Sequence, residues 1–138
     1  MMQKKNARVA SAAGQPTVYI IDDDASVRTA LERLLISAGI RSRTFAGADE
    51  FLKAGTPPDG SCVITDVKMH GTTGPELQRK IRESGVHVSF IFVTAYDTEE
   101  VRAQAKRDGA VAYFRKPVDD QALLDAIGWA MSHAEEKA

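Results

Sequence analysis

The sequence predicts a doubly wound α/β sandwich, a parallel sheet with helices on both faces. Three observations carry that prediction. Short runs rich in β-branched residues recur along the chain, and two of them stop abruptly on aspartate, at Asp22 and Asp66. The interior runs are apolar almost throughout, as in strands covered on both faces. Segments with helical periodicity or composition follow the runs, which is the alternation of a βα fold.

Thr17-Val18-Tyr19-Ile20-Ile21 is the first strand and ends on Asp22-Asp23-Asp24. From Ala25 the period changes: Val27, Ala30, Leu31, Leu34, Leu35 and Ala38 share one helical face, and Gly39 supplies the stop. Asp24, a short acceptor just before that stripe, reads as the helix cap rather than as part of a site. Arg41 to Phe45 is a more polar strand suited to a sheet edge. Ala48 to Ala54 is a short helix that buries Phe51 and Leu52. Ser61-Cys62-Val63-Ile64-Thr65 is a buried strand ending on Asp66, and after the loop Gly71 to Gly74 a helix begins near Pro75 with Leu77 and Ile81 inward. Val86 to Val93 is the most apolar strand and ends on Thr94-Ala95. Thr98 to Asp108 is a helix with only Val101, Ala103 and Ala105 to bury, so it should be lightly held. Val111 to Arg115 is the fifth strand, followed by Lys116-Pro117. The last helix starts near Asp119 and presents Ala122, Leu123, Ala126, Ile127 and Ala130. Placing the apolar strands centrally and the Arg41 strand at an edge gives the flavodoxin-like order 2-1-3-4-5.

A length of 138 residues is one domain's worth of chain, expected over 17–132, with a flexible tail at 1–16 and a short tail at 133–138. A net charge of -1 argues against direct nucleic-acid binding by this chain. Cys62 is the single cysteine and lies in an apolar run, which fits a reducing, cytoplasmic setting and a packing role. No run is long enough to span a membrane, and 1–16 lacks the apolar core of a signal peptide.

In this topology Asp22, Asp23, Asp66, Thr94 and Lys116 all lie at the carboxyl edge of one sheet, where such folds bind ligands. Carboxylates brought together repel, and a hard divalent cation relieves the repulsion. Oxygen donors without a proposed His or Cys ligand suit Mg²⁺. Lys116 and Thr94 offer a cation and a hydroxyl to phosphoryl oxygens. His70, His87 and His133 share no ligand spacing and read as incidental polar residues. Trp129 reads as a packing or interface residue of the last helix. Tyr96, two residues after Thr94, reads either as a plain loop aromatic or as a gate for water at the site.

These pieces resemble the receiver domain of bacterial two-component response regulators. The match rests on Ile20-Ile21-Asp22-Asp23-Asp24 with Val27-Arg28, Asp66-Val67-Lys68-Met69 leading to Gly74, Thr94-Ala95, Tyr113 and Lys116-Pro117. The resemblance implies that Asp66 accepts a phosphoryl group from a sensor histidine kinase or phosphotransfer protein. It implies that Asp23, Asp66 and the backbone carbonyl of Lys68 bind Mg²⁺ directly while Asp22 acts through water. It further implies that Lys116 and Thr94 contact the phosphoryl group, that Thr94 and Tyr113 form the switch, and that Lys116-Pro117 is cis. The face of the Thr98 helix, the fifth strand and the last helix is then the expected output and homodimer surface. His70 stands where the family commonly has proline, which removes a φ restraint from the loop.

Two other classes compete. A Mg²⁺-dependent phosphohydrolase with Asp66 as nucleophile would want an acid two residues on, where this chain has Lys68. A receiver-like interaction module that takes no phosphate would lack one of the five site residues, and all five are here.

Overall fold

The computed structural model describes residues 15–133. Five parallel strands lie in the order β2-β1-β3-β4-β5, with β1 at Val18–Ile21, β2 at Ser42–Phe45, β3 at Cys62–Thr65, β4 at Ser89–Thr94 and β5 at Ala112–Arg115. The helices are α1 (Ala25–Ser37), α2 (Ala48–Lys53), α3 (Gly74–Glu83), α4 (Glu99–Arg107) and α5 (Asp120–Ser132). This is the doubly wound, flavodoxin-like sandwich the sequence predicts. The expected tails lie outside the described residues apart from Gln15, Pro16 and His133.

Side chains alternate across a strand, so β1, β3 and β4 each feed two cores. One layer is aliphatic: Val18, Ile20, Cys62, Ile64, Ile91 and Val93 pack against Leu31 and Leu35 of α1 and Leu123, Ile127 and Ala130 of α5. The other is rich in aromatics: Tyr19, Ile21, Val63, Phe90 and Phe92 meet Phe51 of α2, Leu77 and Ile81 of α3, and Ala105 of α4. Tyr19, Phe45 and Phe51 form an edge-on cluster, with Tyr19 and Phe51 centroids 5.0 Å apart. Burial pushes the Cys62 thiol up to about 12, so it behaves as a small hydrophobe rather than a nucleophile.

Local chemistry sets the boundaries. Asp24 caps α1, its Oδ1 accepting from the Ser26 N–H at 2.9 Å, and Asp119 caps α5 through the Ala122 N–H at 2.9 Å. Thr73 and Glu76 form a reciprocal capping box at the start of α3, a device not read from the sequence.

Several expectations need correction. β4 begins at Ser89 rather than Val86, and Val86 and Val88 are only half-buried. Ala30 and Ala38 of the α1 stripe are exposed, as is Ala103 of α4, because only part of each helical face meets the sheet. In α1 the unburied part lines an apolar groove of about 420 Å³ beside Lys116, formed with Val27, Leu34, Pro117 and Val118. Gln78, absent from the expected α3 stripe, is 4% exposed. Among the described residues no helix is long and apolar enough to cross a membrane.

Candidate functional site

Register brings the acids together. Ile21 pairs with Thr65 across β1 and β3, so the next residues, Asp22 and Asp66, leave adjacent strands side by side. Both are buried, at 3% and 8% exposure, at the carboxyl edge of the sheet. Lys116 leaves β5 just beyond the Thr94–Arg115 pair and reaches back over the strand ends. Its ammonium donates to Asp66 Oδ2 at 2.8 Å and to Asp22 Oδ2 at 2.9 Å.

The backbone fixes each member. Asp22 Oδ1 accepts from the Asp24 N–H at 2.9 Å, and the Arg28 guanidinium donates to the Asp22 carbonyl at 2.6 Å, tying α1 to the end of β1. Asp66 Oδ1 accepts from the Val67 N–H at 2.6 Å. Gly74 lies so close to Asp66 that a Cβ there would collide with the Asp66 carbonyl oxygen and come within 2.9 Å of the Phe92 ring, so the turn into α3 requires glycine. The Lys116 N–H bonds the Thr94 carbonyl at 2.9 Å, and the following Lys116–Pro117 peptide is cis.

The electrostatics follow from burial. Burial raises the Asp22 carboxyl above its ordinary range; the Asp24 N–H and Lys116 oppose that rise, and the nearby Asp66 adds to it. Burial alone would lower Lys116, but its hydrogen bonds to Asp66 and Asp22 and their charges outweigh it, leaving the ammonium firmly protonated. Asp22 and Asp66 thus share a single ammonium, so one of their two negative charges is left without a local cation. Among the described residues no three His, Cys, Asp or Glu side chains converge as a ready-made metal cage. Asp22, Asp23, Asp66 and the Lys68 carbonyl offer oxygen donors alone, the ligand type that a hard cation such as Mg²⁺ takes.

The remaining expected site residues sit around this core. Thr94 is fully buried, and its hydroxyl oxygen accepts from the Tyr96 N–H at 3.0 Å. Tyr113 is half-buried, donates from its hydroxyl to the Tyr96 carbonyl at 3.1 Å, and carries the Arg102 guanidinium 4.7 Å above its ring. Lys68 places its ammonium 3.7 Å over the Tyr96 ring, joining the loop after β3 to the loop after β4 by a cation–π contact. The position two residues past Asp66 is thus engaged with an aromatic face and offers no acid. Asp23 is exposed and projects outside the Lys116 bridge.

His70 stands 98% exposed with its Nδ1 3.3 Å from Asp23 Oδ2. Trp129 is about half exposed and stacks on His133 at 4.1 Å, on the surface rather than in the core. Neither the His70 contact nor the Lys68–Tyr96 contact carries a local sequence signal, since each joins residues that periodicity cannot relate.

The model of the response regulator receiver domain matches residues 18–128. The transcriptional regulatory protein TdiR of Thauera aromatica is 39% identical over 122 residues, covering 88% of this chain and 54% of its own length. The solved structure of the response regulator StyR is 36% identical with a TM-score of 0.81, over 89% of this chain and 62% of that one. A response regulator receiver protein from Burkholderia phymatum is 43% identical with a TM-score of 0.71, over 86% of this chain and 96% of its own. The chain therefore spans about half the length of the curated relatives it matches.

Proposed function

The chain belongs to the response regulator receiver family, and from that premise we propose that it is a phosphorylation switch whose acceptor is Asp66. The observation that carries the reading is the Lys116 ammonium bridging Asp66 and Asp22 at the carboxyl edge of the sheet. The phosphoryl group passes from a donor nitrogen to an Asp66 carboxylate oxygen; the P–N electron pair stays with the donor imidazole, which takes up a proton from solvent. The product is an acyl phosphate on Asp66. Preorganised positive charge lowers the cost of the charge that develops on the transferred oxygens. Lys116 is anchored to supply it, and the buried Thr94 hydroxyl lies at the adjacent strand end. Asp23, Asp66 and the Lys68 carbonyl would hold Mg²⁺, with Asp22 acting through water. Bound there, the ion neutralises the acids and offsets repulsion between Asp66 and the incoming phosphoryl group.

The donor is a sensor histidine kinase or a phosphotransfer protein. The apolar groove lined by Val27, Ala30, Leu34, Pro117 and Val118 opens beside Lys116 and gives such a partner a footing next to Asp66. The chemistry is the protein's own modification and its reversal, without turnover of a separate substrate. Readout runs through Thr94 and Tyr113 to the face formed by α4, β5 and α5, which also serves homodimerisation. Arg102 links that face to the site by standing over Tyr113 while pairing with Asp97 at 3.0 Å. The setting is cytoplasmic, and this chain itself does not bind nucleic acid.

Incubation with Mg²⁺ and acetyl phosphate tests the acceptor directly by intact mass. The expected result is one added phosphoryl group, absent in Asp66→Asn. Equal modification of the mutant would overturn the assignment.

A further inference from the structure

We propose that the cavity between the C-terminal ends of α3 and α4 binds a small aromatic acid that carries an O–H or N–H donor. The carrying observation is Gln78, 4% exposed, whose side-chain oxygen has no hydrogen-bond partner among the described residues. Its amide nitrogen donates to the Asp108 carbonyl at 3.0 Å, and since that carbonyl can only accept, the bond fixes which way the amide faces. Gln78 Oε1 is therefore a positioned acceptor, and an acceptor buried without a donor bears the full cost of its lost water. Gln78 and Asp108 both line a cavity of about 300 Å³, at the lower end of the range for ligand pockets. A donor on an occupant would satisfy the oxygen that the fold leaves open. Val86 and Val88 precede β4 and Gly109 precedes β5, so this cavity lies at the opposite edge of the sheet from Asp66 and the inference does not rest on phosphorylation there.

The rest of the wall sets the chemistry of the occupant. Ile81 and Phe90 line it as buried side chains and Val88 as a half-buried one, so the body of a ligand meets apolar surface, which suits a ring. Arg82 and Arg107 line it as well. Arg79 and Arg82 stand 3.6 and 3.9 Å from the Asp108 carboxylate. Arg107 has no acid within ion-pair distance among the described residues; its guanidinium donates to the neutral Gln104 side-chain oxygen at 2.7 Å and has further N–H groups to offer. The negative end of a helix dipole amounts to roughly half a charge, so the end of α4 offsets only part of the Arg107 cation. Three guanidinium groups around one carboxylate leave the rim positive, which suits a single carboxylate on the ligand. Acceptor, apolar floor and unpaired guanidinium together describe an aromatic monoacid with a hydroxyl or N–H group.

The test titrates the full chain with 3-hydroxybenzoate and 4-hydroxybenzoate and follows backbone NMR shifts, with the methyl ethers of both acids and the neutral hydroxybenzamides as comparisons. The expected result is saturable binding of a hydroxybenzoate that shifts the Val88, Phe90 and Gly109 signals. Its ether, which keeps the ring and the charge but loses the donor, should bind about 3- to 10-fold more weakly. Arg107→Gln, a substitution at an exposed position, should weaken the acid by a similar factor and leave the benzamide unchanged. Gln78→Met should remove the difference between acid and ether. Should that buried variant fail to fold, the ether comparison in the native protein carries the same information. No saturable shift with either acid, equal affinity of acid and ether in the native protein, or shifts centred on the groove beside Lys116 would overturn the assignment. Undiminished acid binding in Arg107→Gln would overturn the acidic character of the ligand. Phosphorylation of Asp66, read by mass, stands or falls separately from each of these outcomes.

Discussion

Helices α3 and α4 both pack on the aromatic-rich face of the sheet, but they are secured by opposite means. α3 buries Gly74, Leu77, Gln78 and Ile81 and opens with a complete capping box. α4 buries Ala105 alone, with Val101 half-buried, and depends on polar contacts at its ends. At its start the Thr98 hydroxyl oxygen accepts from the Val101 N–H at 3.1 Å. At its finish, Asp108 gathers α3 to it: Gln78 and Arg82 each donate to the Asp108 carbonyl at 3.0 Å, and the Arg79 guanidinium lies 3.6 Å from its carboxylate. A carboxylate at a helix C-terminus opposes the macrodipole, so these cations from α3 offset a local cost. The difference divides the labour. α3 carries Gly74 against the Asp66 backbone and must not move, whereas α4 has little apolar area to lose when it shifts.

The largest expected effect comes from cutting the apolar hold of α3. Leu77→Ala should cost about 2–5 kcal/mol of stability, the usual range for a fully buried leucine. Val101→Ala in α4 should cost about 1 kcal/mol, as for a small and partly exposed deletion. Urea denaturation of the two variants makes the comparison, and equal losses would break it.

A smaller effect should follow from releasing α4 at its end. Asp108→Ala keeps the carbonyl that Gln78 and Arg82 bind and removes only the carboxylate's contacts to Arg79, Arg82 and Gln104, so it should cost at most about 1 kcal/mol. Amide exchange should quicken in the last turn of α4 while α3 keeps its protection. Equal loosening of both helices would mean that α4 is not separately held.

The smallest effect is in the caps. Its bond from the Thr73 N–H holds the exposed Glu76 carboxyl below its ordinary range. A depressed carboxyl contributes stability that is present above its unfolded pKa, 4.5, and is lost as pH falls through the lower folded value. The α4 cap, Thr98, does not titrate in that range. Acidification below about pH 4.5 should therefore shift the Thr73 and Glu76 amides in NMR spectra and leave the Thr98–Val101 cap unchanged. Parallel shifts in both caps would remove the distinction.

Much of the fold was legible because its determinants are local. The runs around Ile20, Ile64 and Ile91 mark buried strands by composition, the Leu31–Leu35 and Leu123–Ile127 pairs mark helical faces, and Asp24 and Asp119 mark caps. Asp22, Asp66 and Lys116 could be grouped before any coordinates, since one topological rule sends every strand end to the same edge. The capping box at Thr73 also has a sequence pattern, a threonine three residues before a glutamate.

The sequence by itself determined the element order, the apolar alternation that builds two cores, and the types of residue that end each strand; these depend on spacing along the chain, which fixes side-chain direction. Tertiary structure alone decided which of those residues touch. It set Lys116 between Asp22 and Asp66, buried Gln78 under Asp108, laid Lys68 over Tyr96, turned most of the α1 stripe into a groove wall, and brought His70 to Asp23. Each contact joins elements whose approach is fixed by register and by packing of the whole sheet, and no local period encodes a distance between loops.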